Sequence, residues 1–92
     1  MSIHWLFDVI QDRRDQPSEG SYTSSLFAGG LPKIAQKVGE EASEVIVAAL
    51  AQDDQRLIEE VADLTYHTMV LLAARDLSLA DVQAELERRH KK

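Results

Sequence analysis

Residues 31–75 decide the fold, and they read LPKIAQKVGEEASEVIVAALAQDDQRLIEEVADLTYHTMVLLAAR. In the first half of this stretch, apolar residues recur every three or four positions, which predicts one stripe along a helix that ends near Ala51. Pro32 suits the first turn of that helix. Asp53 or Asp54 can cap a second helix that runs to about Arg75. Because the connection between them is short, we expect the two helices to form an antiparallel hairpin.

The second helix of this hairpin has an unusually wide apolar arc. One face and its sideways extension consist of Leu57, Val61, Leu64, Leu71 and Leu72, with Ile58, Ala62 and Met69 beside them. An apolar arc of this width requires two neighbouring elements rather than one. In a chain of 92 residues, we expect the second neighbour to come from another copy, which predicts a homodimer.

The sequence on either side of the hairpin also indicates helices. Apolar residues at i, i+3, i+4 and i+7 from Ile3 predict a helix over residues 2–15. Residues 17–32 contain both prolines and three of the four glycines, which indicates a loop region with a short helical turn at Thr23–Ala28. Ser78–Asp81 resembles a capping box that opens a last helix. No segment alternates as a strand does, so we predict an all-α fold of four to five helices.

Composition limits what this chain can be. Its length predicts one domain over residues 1–92, and the absence of cysteine excludes disulfides and cysteine-based zinc sites. No apolar run approaches the roughly 20 residues of a membrane span, and the N-terminus has no basic flank of an export signal. These features predict a cytoplasmic protein. The formal charge of −6 argues against nucleic-acid binding, which needs basic surface.

The negative charge is concentrated in residues 40–63, which hold eight acidic residues and one basic residue. Glu41 and Glu44 are three positions apart, so they share one face of the first hairpin helix, and Glu60 and Asp63 repeat this spacing on the second. Packing of the two apolar stripes is predicted to bring both pairs to the same rim. Four carboxylates brought together repel one another unless a cation neutralises them.

A divalent metal ion is the hypothesis that this arrangement favours. Oxygen-only ligands suit Mg²⁺ or Mn²⁺ rather than zinc or copper, and one or two ions would fit four carboxylates. The alternative is a solvated acidic helix face, which is common in proteins. No Lys or Arg follows any of these four acidic residues at i+4, where a solvated helix face usually carries one, and this favours the metal site.

Three segments resemble a known family. They are SYTSSLF at Ser21–Phe27, KIAQKVGEEASE at Lys33–Glu44 and EVADLTYH at Glu60–His67. Together they resemble phosphoribosyl-ATP pyrophosphohydrolase, of the all-α, MazG-like nucleotide pyrophosphohydrolases. The paired acidic motifs specify only the superfamily, whereas the SYT segment with KVGEE is typical of this enzyme. The similarity covers almost the whole chain and extends to ERRH at Glu87–His90.

This resemblance implies an activity and a set of site residues. It implies Mg²⁺-dependent hydrolysis of phosphoribosyl-ATP to phosphoribosyl-AMP and pyrophosphate, the second step of histidine biosynthesis, by a homodimer. Carried over by position, the metal ligands are Glu41, Glu44, Glu60 and Asp63. Glu40 is expected to orient or deprotonate the attacking water, although one of the ligands, such as Glu41, could do so instead.

The substrate-binding residues are expected on the same side of the molecule. Lys33 and Lys37 could meet the triphosphate, although Lys37 could instead pair with Glu41 on the helix surface. His67 lies on the face of Asp63, where it could contact substrate or serve as a structural hydrogen-bond partner. In the loop region, Ser21, Tyr22 and Thr23 could line a phosphate or ribose site or act as capping groups.

Two other functions remain compatible with the sequence. One is a MazG-like house-cleaning enzyme that hydrolyses free or damaged nucleoside triphosphates, which would share the acidic residues but not need the SYT segment. The other is a non-catalytic helical module whose acidic rim binds a basic partner.

Overall fold

The computed structural model describes residues 1–91, and Lys92, the last residue of the basic C-terminus, lies outside the described residues. The described chain forms five helices: α1 (Ile3–Asp15), α2 (Tyr22–Gly29), α3 (Leu31–Ala51), α4 (Asp54–Ala74) and α5 (Leu79–His90). Residues 1–91 contain no strand, so the predicted all-α class is confirmed. Within this range no helix is long and apolar enough to cross a membrane.

The α3–α4 hairpin forms as predicted and provides the scaffold for the acidic residues. Each helix has 21 residues, and only Gln52 and Asp53 separate them. Asp53 caps α4, because its side chain accepts a hydrogen bond from the backbone N–H of Arg56 at 2.9 Å. Pro32 lies in the first turn of α3, where its missing N–H costs no helical hydrogen bond.

Helix α2 is longer than the short turn predicted at Thr23–Ala28. Ser21 caps its N-terminus by accepting a hydrogen bond from the backbone N–H of Ser24 at 3.2 Å. Gly30, at a φ of 91°, ends it in a conformation that favours glycine. Leu26 is buried in the core, and this packing stabilises a helix of eight residues that local sequence signals alone would leave marginal.

The core lies where α1 and α2 pack on the open end of the hairpin, which the first turns of α3 and the last turns of α4 form. Its buried residues are Phe7, Ile10, Leu26, Ile34, Met69, Val70 and Ala73. The side chain of Arg14 connects α1 to the end of α4, because its Nη1 donates a hydrogen bond to the carbonyl oxygen of Ala73 at 2.8 Å. Along the wide apolar arc of α4, Met69 is buried in this core, whereas Ile58 and Val61 are exposed in a single copy.

One copy of the chain leaves a large apolar surface exposed. Ile46, Val47 and Leu50 on α3 and Ile58 and Val61 on α4 are all exposed, and α5 has no buried residue. The accessible surface is 6451 Å², whereas a compact monomer of this mass exposes about 5,400 Å². The radius of gyration is 14.3 Å, against about 12 Å for a compact chain of this length.

Candidate metal and substrate site

Three carboxylates from the two hairpin helices converge on one point. Glu41 of α3 and Glu60 and Asp63 of α4 each place one carboxylate oxygen within 4.8 Å of the other two. Glu41 is 7% exposed and Glu60 is 5% exposed, whereas Asp63 is open to solvent. The hairpin therefore brings members of both acidic pairs together at one rim.

The two buried glutamates each have an unsatisfied oxygen. Oε2 of Glu41 and Oε2 of Glu60 are buried and have no hydrogen-bond partner. A buried carboxylate oxygen without a partner is costly, and a cation that binds it removes that cost. The donor set contains only carboxylate oxygens, which are the ligands that Mg²⁺ and Mn²⁺ prefer. These residues therefore fit a hard divalent cation.

Glu44, the fourth predicted ligand, lies beside this group of three. Its carboxyl contacts those of Glu60 and Glu41, and these contacts raise the pKa of Glu44 from 4.5 to about 7. The raised pKa is the effect expected of carboxylates that share a small volume, because ionising the last one adds a like charge. Protonation of Glu44 removes one negative charge and so reduces the repulsion among the carboxylates, and a divalent cation would reduce it by adding positive charge.

Two basic side chains flank the carboxylates. Lys37 Nζ lies 3.6 Å from Oε1 of Glu41 and 3.4 Å from Oε1 of Glu40, so the surface pair considered from sequence does form. Arg56 pairs through Nη2 with Oε1 of Glu60 and through Nη1 with Glu59. Arg56 was not among the site residues predicted from the sequence. It lies four residues before Glu60, and side chains at this spacing meet on one face of a helix, so the spacing could have identified it.

Glu40 lies outside the three converging carboxylates. Gln36 Nε2 donates to it at 2.9 Å, and this bond, followed by the Lys37 ammonium, lowers the pKa of Glu40. Glu40 is consequently ionised at neutral pH. Its exposed carboxylate can accept a hydrogen bond from water, but the lowered pKa makes it a weak base.

His67 and Tyr22 join α2 to α4 beside Asp63. His67 is buried, and its Nδ1 lies 2.8 Å from the carbonyl oxygen of Asp63. Because a carbonyl only accepts, Nδ1 is the donor in this hydrogen bond. Nε2 forms a second hydrogen bond with the Tyr22 hydroxyl at 3.0 Å. Thr23 Oγ1 bonds the Tyr66 hydroxyl in the same way across the two helices.

The remaining predicted substrate residues are divided between this region and the open surface. Lys37 lies near both Tyr22 and the glutamates: burial lowers its pKa, but the Tyr22 hydroxyl, Glu40 and Glu41 together raise it. Ser21 uses its side chain as the α2 cap. Lys33 is exposed and pairs with no acidic residue among those described; its side chain runs past Gly29. The structure thus groups Tyr22, Thr23, Lys37 and His67, and leaves Lys33 apart.

A small cleft opens next to the carboxylates, near the connection between α3 and α4. It has a volume of ≈ 210 Å³ and is lined by Glu44, Val47, Gln52, Arg56 and Glu60. Two of the predicted metal ligands, Glu44 and Glu60, therefore line this cleft.

Comparisons with known proteins agree on one family. The family model described as phosphoribosyl-ATP pyrophosphohydrolase matches residues 4–90. A Clostridium botulinum protein named phosphoribosyl-ATP pyrophosphatase is 54% identical over 90 residues, covering 98% of this chain and 82% of its own. A Listeria welshimeri protein of the same name is 58% identical over 87 residues, with 95% and 84% covered. One from Clostridium acetobutylicum is 47% identical over 87 residues, with 95% and 79% covered.

Proposed function

Because the chain belongs to the phosphoribosyl-ATP pyrophosphohydrolase family, we propose that it hydrolyses phosphoribosyl-ATP to phosphoribosyl-AMP and pyrophosphate in histidine biosynthesis. Its relatives are named phosphoribosyl-ATP pyrophosphatases, and as a member of this family the chain is a pyrophosphate-releasing hydrolase. The observation that supports this chemistry is the convergence of Glu41, Glu60 and Asp63, with an unpartnered buried oxygen on each glutamate.

The proposed metal centre uses all four predicted ligands: Glu41, Glu44, Glu60 and Asp63. Mg²⁺ is the proposed ion, with Mn²⁺ as a substitute and with one or two ions in the site. When bound, the metal would supply positive charge to the phosphate oxygens and polarise water. The chain itself contributes a rigid hairpin that holds the carboxylates in place before substrate arrives.

The proposed roles around the metal follow the chemistry of each side chain. Glu40, which its lowered pKa keeps ionised, would accept a hydrogen bond from the attacking water and orient it. Lys37, and Lys33 from the surface, would face the phosphates. Binding of the ribose and phosphate groups is assigned to Ser21, Tyr22, Thr23 and His67. The hydrogen bond with His67 holds the Tyr22 hydroxyl beside α4, which positions that part of the surface.

Two further features belong to the proposal. The exposed apolar residues of α3, α4 and α5 support a homodimer, and so does the total accessible surface of one copy, which is larger than a compact monomer of this mass would expose. Neighbouring copies would cover Ile46, Leu50, Ile58 and Val61. The proposal also includes a cytoplasmic location, which is expected for a biosynthetic enzyme.

A direct assay tests the activity. Pyrophosphate release from phosphoribosyl-ATP should require Mg²⁺, and it should greatly exceed release from ATP or deoxynucleoside triphosphates. Preference for deoxynucleotides would instead support the house-cleaning alternative.

Substitution of the carboxylates tests the site. Glu41→Gln and Asp63→Asn should each lower kcat by at least about a hundredfold, because each removes a proposed ligand from the charge-stabilising centre. The helical circular dichroism spectrum should stay unchanged. Asp8→Asn, at an exposed carboxyl on α1, is the matched control and should retain full activity. Full activity in both Glu41→Gln and Asp63→Asn would place the chemistry elsewhere.

A further inference from the structure

The two buried glutamates share one arrangement. Each has a basic residue four positions earlier on its own helix: Lys37 precedes Glu41 and Arg56 precedes Glu60. In both pairs the cation meets Oε1, and in both pairs Oε2 is the buried oxygen without a partner. One oxygen of each carboxylate is therefore held by the protein, and the other is left for a ligand.

The Arg56 pair is the firmer of the two. Lys37 Nζ lies 3.6 Å from Oε1 of Glu41, beyond hydrogen-bond length, and it is shared with Glu40. Arg56 makes a direct hydrogen bond to Oε1 of Glu60, and its other terminal nitrogen is bonded to Glu59. A planar guanidinium fixed at both nitrogens cannot swing freely, so Oε1 of Glu60 is held in direction as well as neutralised.

We propose that Arg56 is a positioning residue that keeps Glu60 a one-oxygen metal ligand and thereby favours Mg²⁺ and Mn²⁺ over Ca²⁺. The proposal rests on the proposed metal centre. Mg²⁺ requires six ligands at about 2.0–2.1 Å in octahedral geometry, whereas Ca²⁺ takes six to eight at about 2.3–2.6 Å and readily accepts both oxygens of one carboxylate. When Arg56 holds Oε1, Glu60 can offer only Oε2 to a metal ion. A single oxygen suits the octahedral geometry of Mg²⁺, whereas the two-oxygen coordination that Ca²⁺ readily accepts is not available.

Two simpler roles for Arg56 give different results. If Arg56 acts only as a nearby positive charge, its removal strengthens the binding of every divalent ion by the same factor. If it only stabilises α4 through its surface pairs, its removal lowers the melting temperature and leaves ion binding unchanged. Only the positioning role changes the ratio of Ca²⁺ to Mg²⁺ affinity.

The test measures ion binding by the full-length protein without substrate. Free Mn²⁺ is followed by electron paramagnetic resonance, and Mg²⁺ and Ca²⁺ are titrated as competitors. In Arg56→Gln the affinity for Ca²⁺ relative to Mg²⁺ should rise by about tenfold, the lower end of effects seen when a residue behind a metal ligand is replaced. Arg56→Lys keeps the positive charge but lacks the two terminal nitrogens that bond Glu59 and Glu60 separately, so the Ca²⁺-to-Mg²⁺ affinity ratio should rise less in this variant. Arg88→Gln, which removes a similar pair with Glu85 on α5, should give none.

The outcomes separate the two proposals. If wild-type protein binds no Mn²⁺, the metal centre itself fails and the role of Arg56 fails with it. If wild type binds Mn²⁺ but Arg56→Gln, folded by circular dichroism, shows the wild-type ratio of Ca²⁺ to Mg²⁺ affinity, then the centre stands and the positioning role is overturned.

Discussion

At the residue scale, the titration of Glu44 makes the stability of the folded protein depend on pH. Its pKa in the folded protein is about 7 rather than 4.5, because its carboxyl contacts those of Glu60 and Glu41. A carboxyl whose pKa is raised by folding favours the folded state only while it is protonated. Its contribution to stability is therefore fully present below its ordinary pKa and is lost as the pH rises through the folded value.

We accordingly expect the melting temperature of the metal-free protein to fall between about pH 4.5 and pH 7, and to fall less in Glu44→Gln. Excess Mg²⁺ should remove the difference in wild type, because a divalent cation replaces the proton as the neutralising charge. Thermal unfolding in EDTA and in Mg²⁺, followed by circular dichroism at several pH values, measures both effects. Equal pH slopes for the two proteins in EDTA would contradict this role of Glu44.

The Tyr22–His67 hydrogen bond gives a second prediction at this scale. Tyr22→Phe removes the hydroxyl and leaves Nε2 of the buried His67 without its partner. The variant should lose about 1 kcal/mol of unfolding free energy, measured by urea denaturation, because a buried polar group loses its bond. Its KM for phosphoribosyl-ATP should also rise if this surface binds substrate. Tyr66→Phe, which breaks the matching bond to Thr23, provides the comparison on the neighbouring residue.

The spacing of acidic residues was enough to predict which carboxylates converge. Helix periodicity fixes which side chains share a face, so the convergence of Glu41, Glu60 and Asp63 could be predicted once the hairpin was recognised. The partners of those side chains could not. Whether Arg56 turns toward Glu60, or His67 toward Tyr22, depends on rotamers that the packing of neighbouring helices selects. The catalytic and binding roles stay predictions until the variants are assayed.

At the scale of elements, α2 carries Tyr22 and Thr23, two of the residues proposed to bind substrate, and places them beside α4. Ser21→Ala removes its N-cap and should cost about 1 kcal/mol of unfolding free energy, whereas Ser21→Gly should cost only a few tenths. Urea denaturation of both variants measures this difference. Equal loss in the two would show that the hydrogen bond to the Ser24 N–H does not stabilise the helix.

The helices differ in how well their bounds could be predicted, and the difference has a physical reason. Helices α3, α4 and α5 begin at strong local signals, namely Pro32, Asp53 and the Ser78–Asp81 capping box. Helix α2 lies among serines and glycines that usually indicate a loop, and it is stabilised by burying Leu26 in the core. That contact joins residues far apart in sequence, so no local window contains it.

At the scale of the whole molecule, the exposed surface predicts self-association. Leu50 on α3 is 83% exposed in a single copy. In a monomer Leu50→Glu would therefore be nearly neutral, whereas in a dimer that covers this face it would place a charge in an apolar interface. We expect Leu50→Glu to weaken the dimer by at least tenfold, measured by analytical ultracentrifugation, and Gln16→Glu at the exposed C-cap of α1 to leave it unchanged. A monomeric wild type would refute the dimer directly.

The two-residue connection between α3 and α4 also has a consequence for how the protein folds. Closing a hairpin across Gln52 and Asp53 costs little chain entropy, so Glu41 and Glu60 meet through local contacts. By contrast, α1 and α2 must return over a longer chain distance, and in the proposed dimer two copies must also meet in solution. We therefore expect two kinetic phases in refolding: a fast, concentration-independent one that forms the carboxylate cluster, and a slower, concentration-dependent one in which copies associate. The order would let a metal ion bind a chain that has not yet found its partner.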